Sequence, residues 1–266
     1  MDKYIKGNLE YWNEVTPIHA RSDYYDVEGF KSGKSTLRPI ELEELGDVSG
    51  KSLLHLQCHF GLDTLSWARL GARVTGVDFS DRAIDLARRL SKETGIEASF
   101  VHSDIYDLPK NLDGDFDVVF TSYGVLCWLP DLRRWAEIIT LFMKPDGTFY
   151  IVADHPLNNI FESVEGSSEL KASYSYFHAP EPIKWGPGGS YADPNAKVAH
   201  PSYEWTHSLS DVLNALICAG LRIEFVHEFP VCAWQRFSAM EQDEDGWWRL
   251  KGDNIPFTLS LRATKD

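Results

Sequence analysis

The chain has 266 residues, 43% of them hydrophobic and 25% charged, and a formal net charge of -14. That length accommodates one α/β sheet with an insertion, and the composition is that of a globular chain able to bury a core, which excludes disorder as the default. The charge repels a phosphate backbone, and only short basic pairs interrupt it, Arg88-Arg89 and Arg133-Arg134, so nucleic acid is not an expected partner. Apolar stretches such as Phe149 to Ala153 are strand-length, far short of the roughly 20 residues of a membrane helix. The opening MDKYIKGNLEYW lacks the apolar centre of a signal peptide, and Cys58, Cys127, Cys218 and Cys232 are few and dispersed. A cytoplasmic setting without membrane contact is expected.

From Lys51 short apolar strands alternate with helical patterns, the signature of parallel βαβ units. SLLHLQC reads as the first strand, followed by a helix that Asp63 can cap, with Leu65, Ala68 and Leu70 inward and Gly71 at its end. ARVTGVD is the second strand. Ser80 is a good N-cap for a helix burying Ala83, Ala87 and Leu90 and ending at Gly95. EASFVHSD and FDVVFTSY are strands three and four, and Leu132, Trp135, Ile138 and Phe142 mark the next helix, closed by the turn KPDG before strand five, TFYIVAD.

Residues 156–206 break the rhythm with Pro, Gly, Ser and aromatic residues, and read as an insertion or lid. The pattern resumes at Ser210, an expected N-cap with Leu213, Leu216 and Ile217 inward and Gly220 at the end. Leu221 to Glu228 alternate as a strand, and PFTLSLRAT does so again with no helix between them. The last strand is therefore expected to run antiparallel. The organisation expected is one domain, 1–266, with an N-terminal cap at 1–50, a cofactor-binding core at 51–155, the lid at 156–206 and a helix with a strand pair at 207–266.

Ligands of an open parallel sheet bind beyond the carboxyl ends of its strands. Asp78 ends strand two, seventeen residues past Gly61, where a carboxylate can accept both hydroxyl hydrogens of an adenosine ribose. Asp104 ends strand three and can accept from an adenine amino group. Each alone is equally read as a turn residue; together, on successive strand ends, they point to an adenosine.

From LLHLQCHFGLDTLSWARLGARVTGVDFSDRAIDLARRL through HSDIYDLP and FDVVFTSYGVLCWLPDL to LFMKPDGTFYIVA, about half the chain resembles the class I S-adenosylmethionine-dependent methyltransferases. The resemblance implies a Rossmann-like, doubly wound, mostly parallel seven-stranded α/β sheet with its last strand antiparallel. It implies S-adenosyl-L-methionine as cofactor and a small-molecule methyl acceptor. Gly61 would pass under the methionine part, Asp78 beside Phe79 would hold the ribose, Asp104 and Ile105 the adenine, and Thr121 to Tyr123 would border the methyl group. The chain departs from the family at HLQCHFG, where His55, Gln57 and His59 replace an acid and two glycines. Side chains there narrow the approach to the cofactor unless φ stays negative, or else Gln57 and His59 bond the cofactor carboxylate.

His55, Cys58 and His59 also suggest a metal, but alternation along a strand separates Cys58 from the histidines, and no metal is expected. Candidate bases for the acceptor are His155, just after strand five, then His19 and Tyr123, set against a turn-shaping role for His155 and transfer with no base at all. Tyr24 or Tyr25, with Tyr25 preferred, is a candidate partner of the cofactor carboxylate, and His19, Tyr123 and Trp185 are candidate pocket residues. Trp247 and Trp248 beside acidic residues suggest a cationic acceptor. No Asp/Asn-Pro-Pro-aromatic turn of nucleic-acid amino-methyltransferases follows strand four. Two rival readings stay open: an NAD-dependent oxidoreductase, which needs glycines that QCHFG lacks and has no use for Asp104, and a catalytically inactive cofactor-binding or adaptor protein.

Overall fold

Seven strands make the central sheet of this computed structural model, which describes residues 2–164, 169–252 and 254–266. They are β1 (Ser52–Leu56), β2 (Arg73–Asp78), β3 (Ser99–His102), β4 (Phe116–Ser122), β5 (Met143–Asp154), β6 (Leu221–Phe229) and β7 (Thr258–Lys265), in spatial order β6-β7-β5-β4-β1-β2-β3. β1 pairs in parallel with β2 and β4. β7 runs antiparallel to both neighbours, from Thr258 opposite Asp154 to Thr264 opposite Thr148 on β5. The chain therefore has the mostly parallel seven-stranded architecture, and its one reversed strand needs no crossover helix.

Because side chains alternate across a strand, each face builds its own core. Leu54, Leu56, Val119, Phe149 and Ile151 pack under α6 (Leu132–Leu141) and α7 (Leu209–Cys218). Leu53, Val118, Phe120 and Tyr150 face Trp67 of α4 (Leu62–Arg69) together with Leu37 and Leu45. α5 (Asp81–Thr94) adds Ala83, Ala87 and Leu90, with Ser80 capping it through a hydrogen bond from the Ala83 N–H. Three helices precede the sheet: α1 (Lys3–His19), α2 (Val27–Lys31) and α3 (Pro39–Leu45).

Local details differ from the sequence reading. Gly61 caps α4 at φ 77°, which leaves Asp63 free for other partners. Trp67, fully buried, takes the inward place expected of Leu70, which is 46% exposed. α7 starts two residues earlier than expected, at Ser208, whose hydroxyl accepts from the Asp211 N–H while Asp211 accepts from the Ser208 N–H; this rotates Ile217 outward and Val212 and Ala215 inward. β5 extends back through the expected KPDG turn, with Asp146 at φ 59°.

The described residues between 156 and 206 include short antiparallel pairs, among them Ile183–Trp185 with Ser202–Glu204 and Gly188–Ser190 with Asp193–Val198. α1 locks onto them. Asn8 Nδ2 donates to the Tyr203 carbonyl at 2.8 Å while the Tyr203 N–H donates to Asn8 Oδ1 at 2.7 Å, and Glu14 accepts from the N–H groups of Ala199 and His200. Cap and insertion thus form one roof over the carboxyl ends of the strands. Among the described residues no helix is long and apolar enough to cross a membrane.

Gly61 is closely packed beneath that roof: an added Cβ would lie 2.6 Å from the Phe100 ring and 3.1 Å from Ala87, at a φ that L side chains avoid. Gly61→Ala is expected to lower unfolding free energy by about 1–3 kcal/mol, read as a lower urea midpoint with unchanged slope.

Candidate functional site

The turn between β1 and α4 holds three successive left-handed positions at alternate residues, Gln57 (φ 55°), His59 (φ 50°) and Gly61 (φ 77°). The backbone thus keeps the conformation that glycine ordinarily serves, so the negative φ that would have kept the approach to the cofactor wide is not adopted at Gln57 or His59. Each non-glycine residue so placed costs about 1–2 kcal/mol. A buried acid offsets part of this cost: Asp78, 8% exposed at the end of β2, accepts from the His59 N–H at 2.8 Å through Oδ2 and from the Ser80 N–H at 2.9 Å through Oδ1. Burial pushes its carboxyl up to about 6, against the pull of those two N–H groups. Consecutive side chains still point to opposite sides of this turn. Cys58 goes down among Phe60, Phe100 and Ala87, and His59 goes up to the roof, where its Nε2 meets His19 Nδ1 at 3.1 Å.

Burial drives both imidazoles to low pKa, His19 to about 3 and His59 well below its usual value, so the pair is neutral and shares one hydrogen bond. Its outer nitrogens, His19 Nε2 and His59 Nδ1, are buried without a hydrogen-bond partner among the described residues, as is Gln57 Oε1, while Gln57 Nε2 donates to the Val125 carbonyl at 3.2 Å. Unpaired polar atoms in such a place cost about 1–3 kcal/mol each.

A cavity of about 890 Å³ opens between roof and sheet. Gln57, His59, Gly61, Asp78, Phe79, Asp104, Ile105, Tyr25, Tyr123 and Trp185 all line it, so the structure brings together ten of the residues singled out from sequence. Asp104 caps the 3-10 turn Ile105–Lys110 by accepting from the Tyr106 N–H at 2.8 Å, and Ile105 is buried beside it. Tyr25 and Tyr191 join hydroxyl to hydroxyl, tying the cap to the insertion above the His19–His59 pair.

Other expected residues lie elsewhere. His155 is outside the cavity: its Nε2 bonds Glu228 at 2.6 Å and its Nδ1 accepts from the Leu157 N–H, so the chain turn at Pro156 absorbs the imidazole proposed as a base. Thr121 is fully buried and its hydroxyl donates to the Leu56 carbonyl, which bridges β4 to β1, and it does not line the cavity. Tyr123 reaches the cavity, but its hydroxyl donates to Glu41 at 3.0 Å, and burial pushes Glu41 up to about 7. His19 touches the roof side of His59 and stays off the cavity wall. Trp247 sits under the Arg38 guanidinium, 4.6 Å from its ring centre, so its cation comes from within the chain. Among the described residues no three His, Cys, Asp or Glu side chains gather as a metal site would require.

Three further groups in the wall, Asp63, Glu204 and Arg236, were not placed at the site from the sequence, and Asp154 was so only as part of a strand end. Asp63 accepts from Thr36 at 2.6 Å and from Ser122 at 3.0 Å, and Ser122 in turn meets His55 Nε2 at 3.3 Å, which explains a histidine where the resembling family has an acid. Asp154, at the end of β5, pairs with Arg236 at 3.4 Å, and Glu204 of the insertion stands near both. Asp154 belonged to the strand end considered from sequence, where only its neighbour His155 drew attention; alternation alone would have separated the two.

Residues 53–147 match the family described as a methyltransferase domain. Among curated relatives, a ubiquinone biosynthesis O-methyltransferase of Xanthomonas euvesicatoria pv. vesicatoria is 29% identical over 131 residues, 48% of this chain and 54% of that protein. Its counterpart from Shewanella pealeana is 28% identical over 152 residues, 55% of this chain and 64% of that protein. The chain thus aligns with roughly half to under two thirds of the length of these relatives. The solved S-adenosylmethionine-dependent methyltransferase from Mesorhizobium loti superposes with a TM-score of 0.61 at 21% identity, covering 88% of this chain and all 100% of that one. One from Clostridium acetobutylicum gives 0.56 at 13% identity, covering 94% and 95%. The chain has the fold of the S-adenosylmethionine-dependent methyltransferases, and its residues 53–147 carry the match to a methyltransferase domain.

Proposed function

We propose that the protein is an S-adenosylmethionine-dependent methyltransferase acting on a small molecule, in a reducing, cytoplasmic setting suited to its four free cysteines. The observation that carries this reading is the convergence of Asp78, Asp104 and the left-handed Gln57–Gly61 turn on one cavity. Two carboxylates on successive strand ends suit the ribose and the adenine amino group. The unpaired Gln57 Oε1 suits the ammonium of a methionine, which needs acceptors in a buried site. The relatives named as O-methyltransferases support the same class of reaction.

In this reading Asp78 and Asp104 orient the adenosine, Phe79 and Ile105 flank it, and Gln57 and the His59 backbone bound the methionine end. When bound, S-adenosylmethionine supplies an electrophilic methyl on a sulfonium. The residues of the chain would align the acceptor with the sulfur–methyl axis and keep water out, which is where the roof of Tyr25, Tyr191 and α1 contributes. A dinucleotide finds less here, because the turn carries one glycine where a pyrophosphate needs several.

Isothermal titration of the purified chain is expected to show binding of S-adenosylhomocysteine and none of NAD; binding of NAD alone, or of neither, would overturn the proposal. Asp104→Ala is expected to weaken S-adenosylhomocysteine by about tenfold to a hundredfold, since one charge-assisted hydrogen bond is worth about 1.5–3 kcal/mol against 1.4 kcal/mol per decade.

The titration of Asp78 gives a second check. With its carboxyl pushed up to about 6 by burial, acidification from pH 7 to 5 protonates it and removes acceptor positions facing the ribose. The affinity for S-adenosylhomocysteine is expected to fall across that window. The folded-state value lies above the ordinary carboxylate value, so the same proton uptake favours the fold as pH drops, and urea unfolding of the ligand-free chain should show no loss from this group.

A further inference from the structure

We infer that the methyl acceptor is an amine, taken up as its ammonium form and held between Asp154 and Glu204. The inference rests on the methyltransferase reading above. The sheet order places β2 and β3, with Asp78 and Asp104, at one edge, and β4 and β5 toward the middle. An adenosine held by those two acids leaves the cavity beyond β4 and β5 for the acceptor. The wall there carries Asp154 from β5, Glu204 and Trp185 from the insertion, and Asn159 and Arg236.

Arg236 is already committed on its two terminal nitrogens, Nη1 to Asp154 Oδ2 at 3.4 Å and Nη2 to Asn159 Oδ1 at 2.8 Å. Glu204 takes a hydrogen bond from Trp185 and has no ion-pair partner among the described residues. Two carboxylates against one guanidinium leave one negative charge in a confined space when both are ionised, a state that a cation relieves and a neutral or anionic group does not. Tyr11, Trp128, Tyr191 and Trp234 line the same cavity and offer aromatic faces to such a cation. A phenol or alcohol would leave Glu204 uncompensated, and a carboxylate would be repelled.

The transfer then needs one proton removed. The bound ammonium gives a proton to Asp154, which is suited to receive it because burial pushes its carboxyl up to about 7. The freed nitrogen lone pair forms the N–C bond to the methyl as the C–S bond breaks. The bonding electrons of that C–S bond remain on sulfur, leaving a neutral thioether and a methylated ammonium, with the abstracted proton on Asp154.

The test is titration of phenethylamine, 2-phenylethanol and catechol into the chain saturated with S-adenosylhomocysteine, for the wild type, Asp154→Asn and Glu204→Gln. The amine is expected to bind at least tenfold more tightly than 2-phenylethanol to the wild type, and the preference is expected to shrink in each variant while S-adenosylhomocysteine affinity is kept. Kept affinity also shows that the variants fold; should one lose it, the other decides. Equal binding of amine and alcohol, tighter binding of catechol, or a preference untouched by both substitutions would overturn the amine inference and leave the methyltransferase reading standing. Failure of the wild type to bind S-adenosylhomocysteine would instead remove that reading, and the inference with it.

Discussion

The buried carboxylate of Asp78 is the constraint on which the site depends. Its two oxygens receive N–H groups from opposite sides, His59 in the turn after β1 and Ser80 at the start of α5, and so fix the distance between two neighbouring strand ends. Without that clamp, two non-glycine residues in left-handed conformation would have little reason to stay there, since each sits in a sparsely populated region. The clamp also holds Gly61 against Phe100 and Ala87, so that the start of α4 closes on α5 and β3. Strain in the turn, burial of the acid and tight packing of one glycine are parts of a single arrangement.

Charge around the cavity follows a simple rule. Imidazoles buried under the roof are held neutral, and acids in the wall are pushed toward protonation by the same loss of water. His55 shows how the rule is met without charge: Thr64 and Ser122 satisfy its two nitrogens, and Ser122 passes the contact on to Asp63. An acid at position 55 would have faced Asp63 across Ser122. The histidine therefore fits its surroundings, whatever the pattern of the resembling family suggests.

Most of the fold was legible because period-2 and period-3.6 patterns are written locally. Ser80, Ala83, Ala87 and Leu90 define α5 by themselves, and the two final alternating segments with no helix between them dictate an antiparallel ending. Helix faces were less legible where a bulky residue competed: Trp67 outranks Leu70 because packing against Phe120 decides, and spacing alone cannot express that. In the site, strand-end acids could be read because the carboxyl edge of a parallel sheet is a fixed place. Glu204 and Arg236 could not, since each reaches the cavity from a segment whose position is set by long-range contacts. His155 misled for a related reason: adjacency to a strand end says nothing of which way the chain turns next, and here it turns onto Glu228.

The roof has a temporal consequence. Asn8 and Tyr203 exchange two hydrogen bonds across a sequence separation of 195 residues, and Tyr25 reaches Tyr191 across 166. Contacts this distant carry the loop-closure entropy of most of the chain and form late. As the chain leaves the ribosome, the strand ends with Asp78 and Asp104 emerge more than eighty residues before Tyr191 and Tyr203 of their cover. The nascent chain thus presents an open, apolar and acidic trough, and the enclosed cavity belongs only to the molecule whose first helix has waited for its partner.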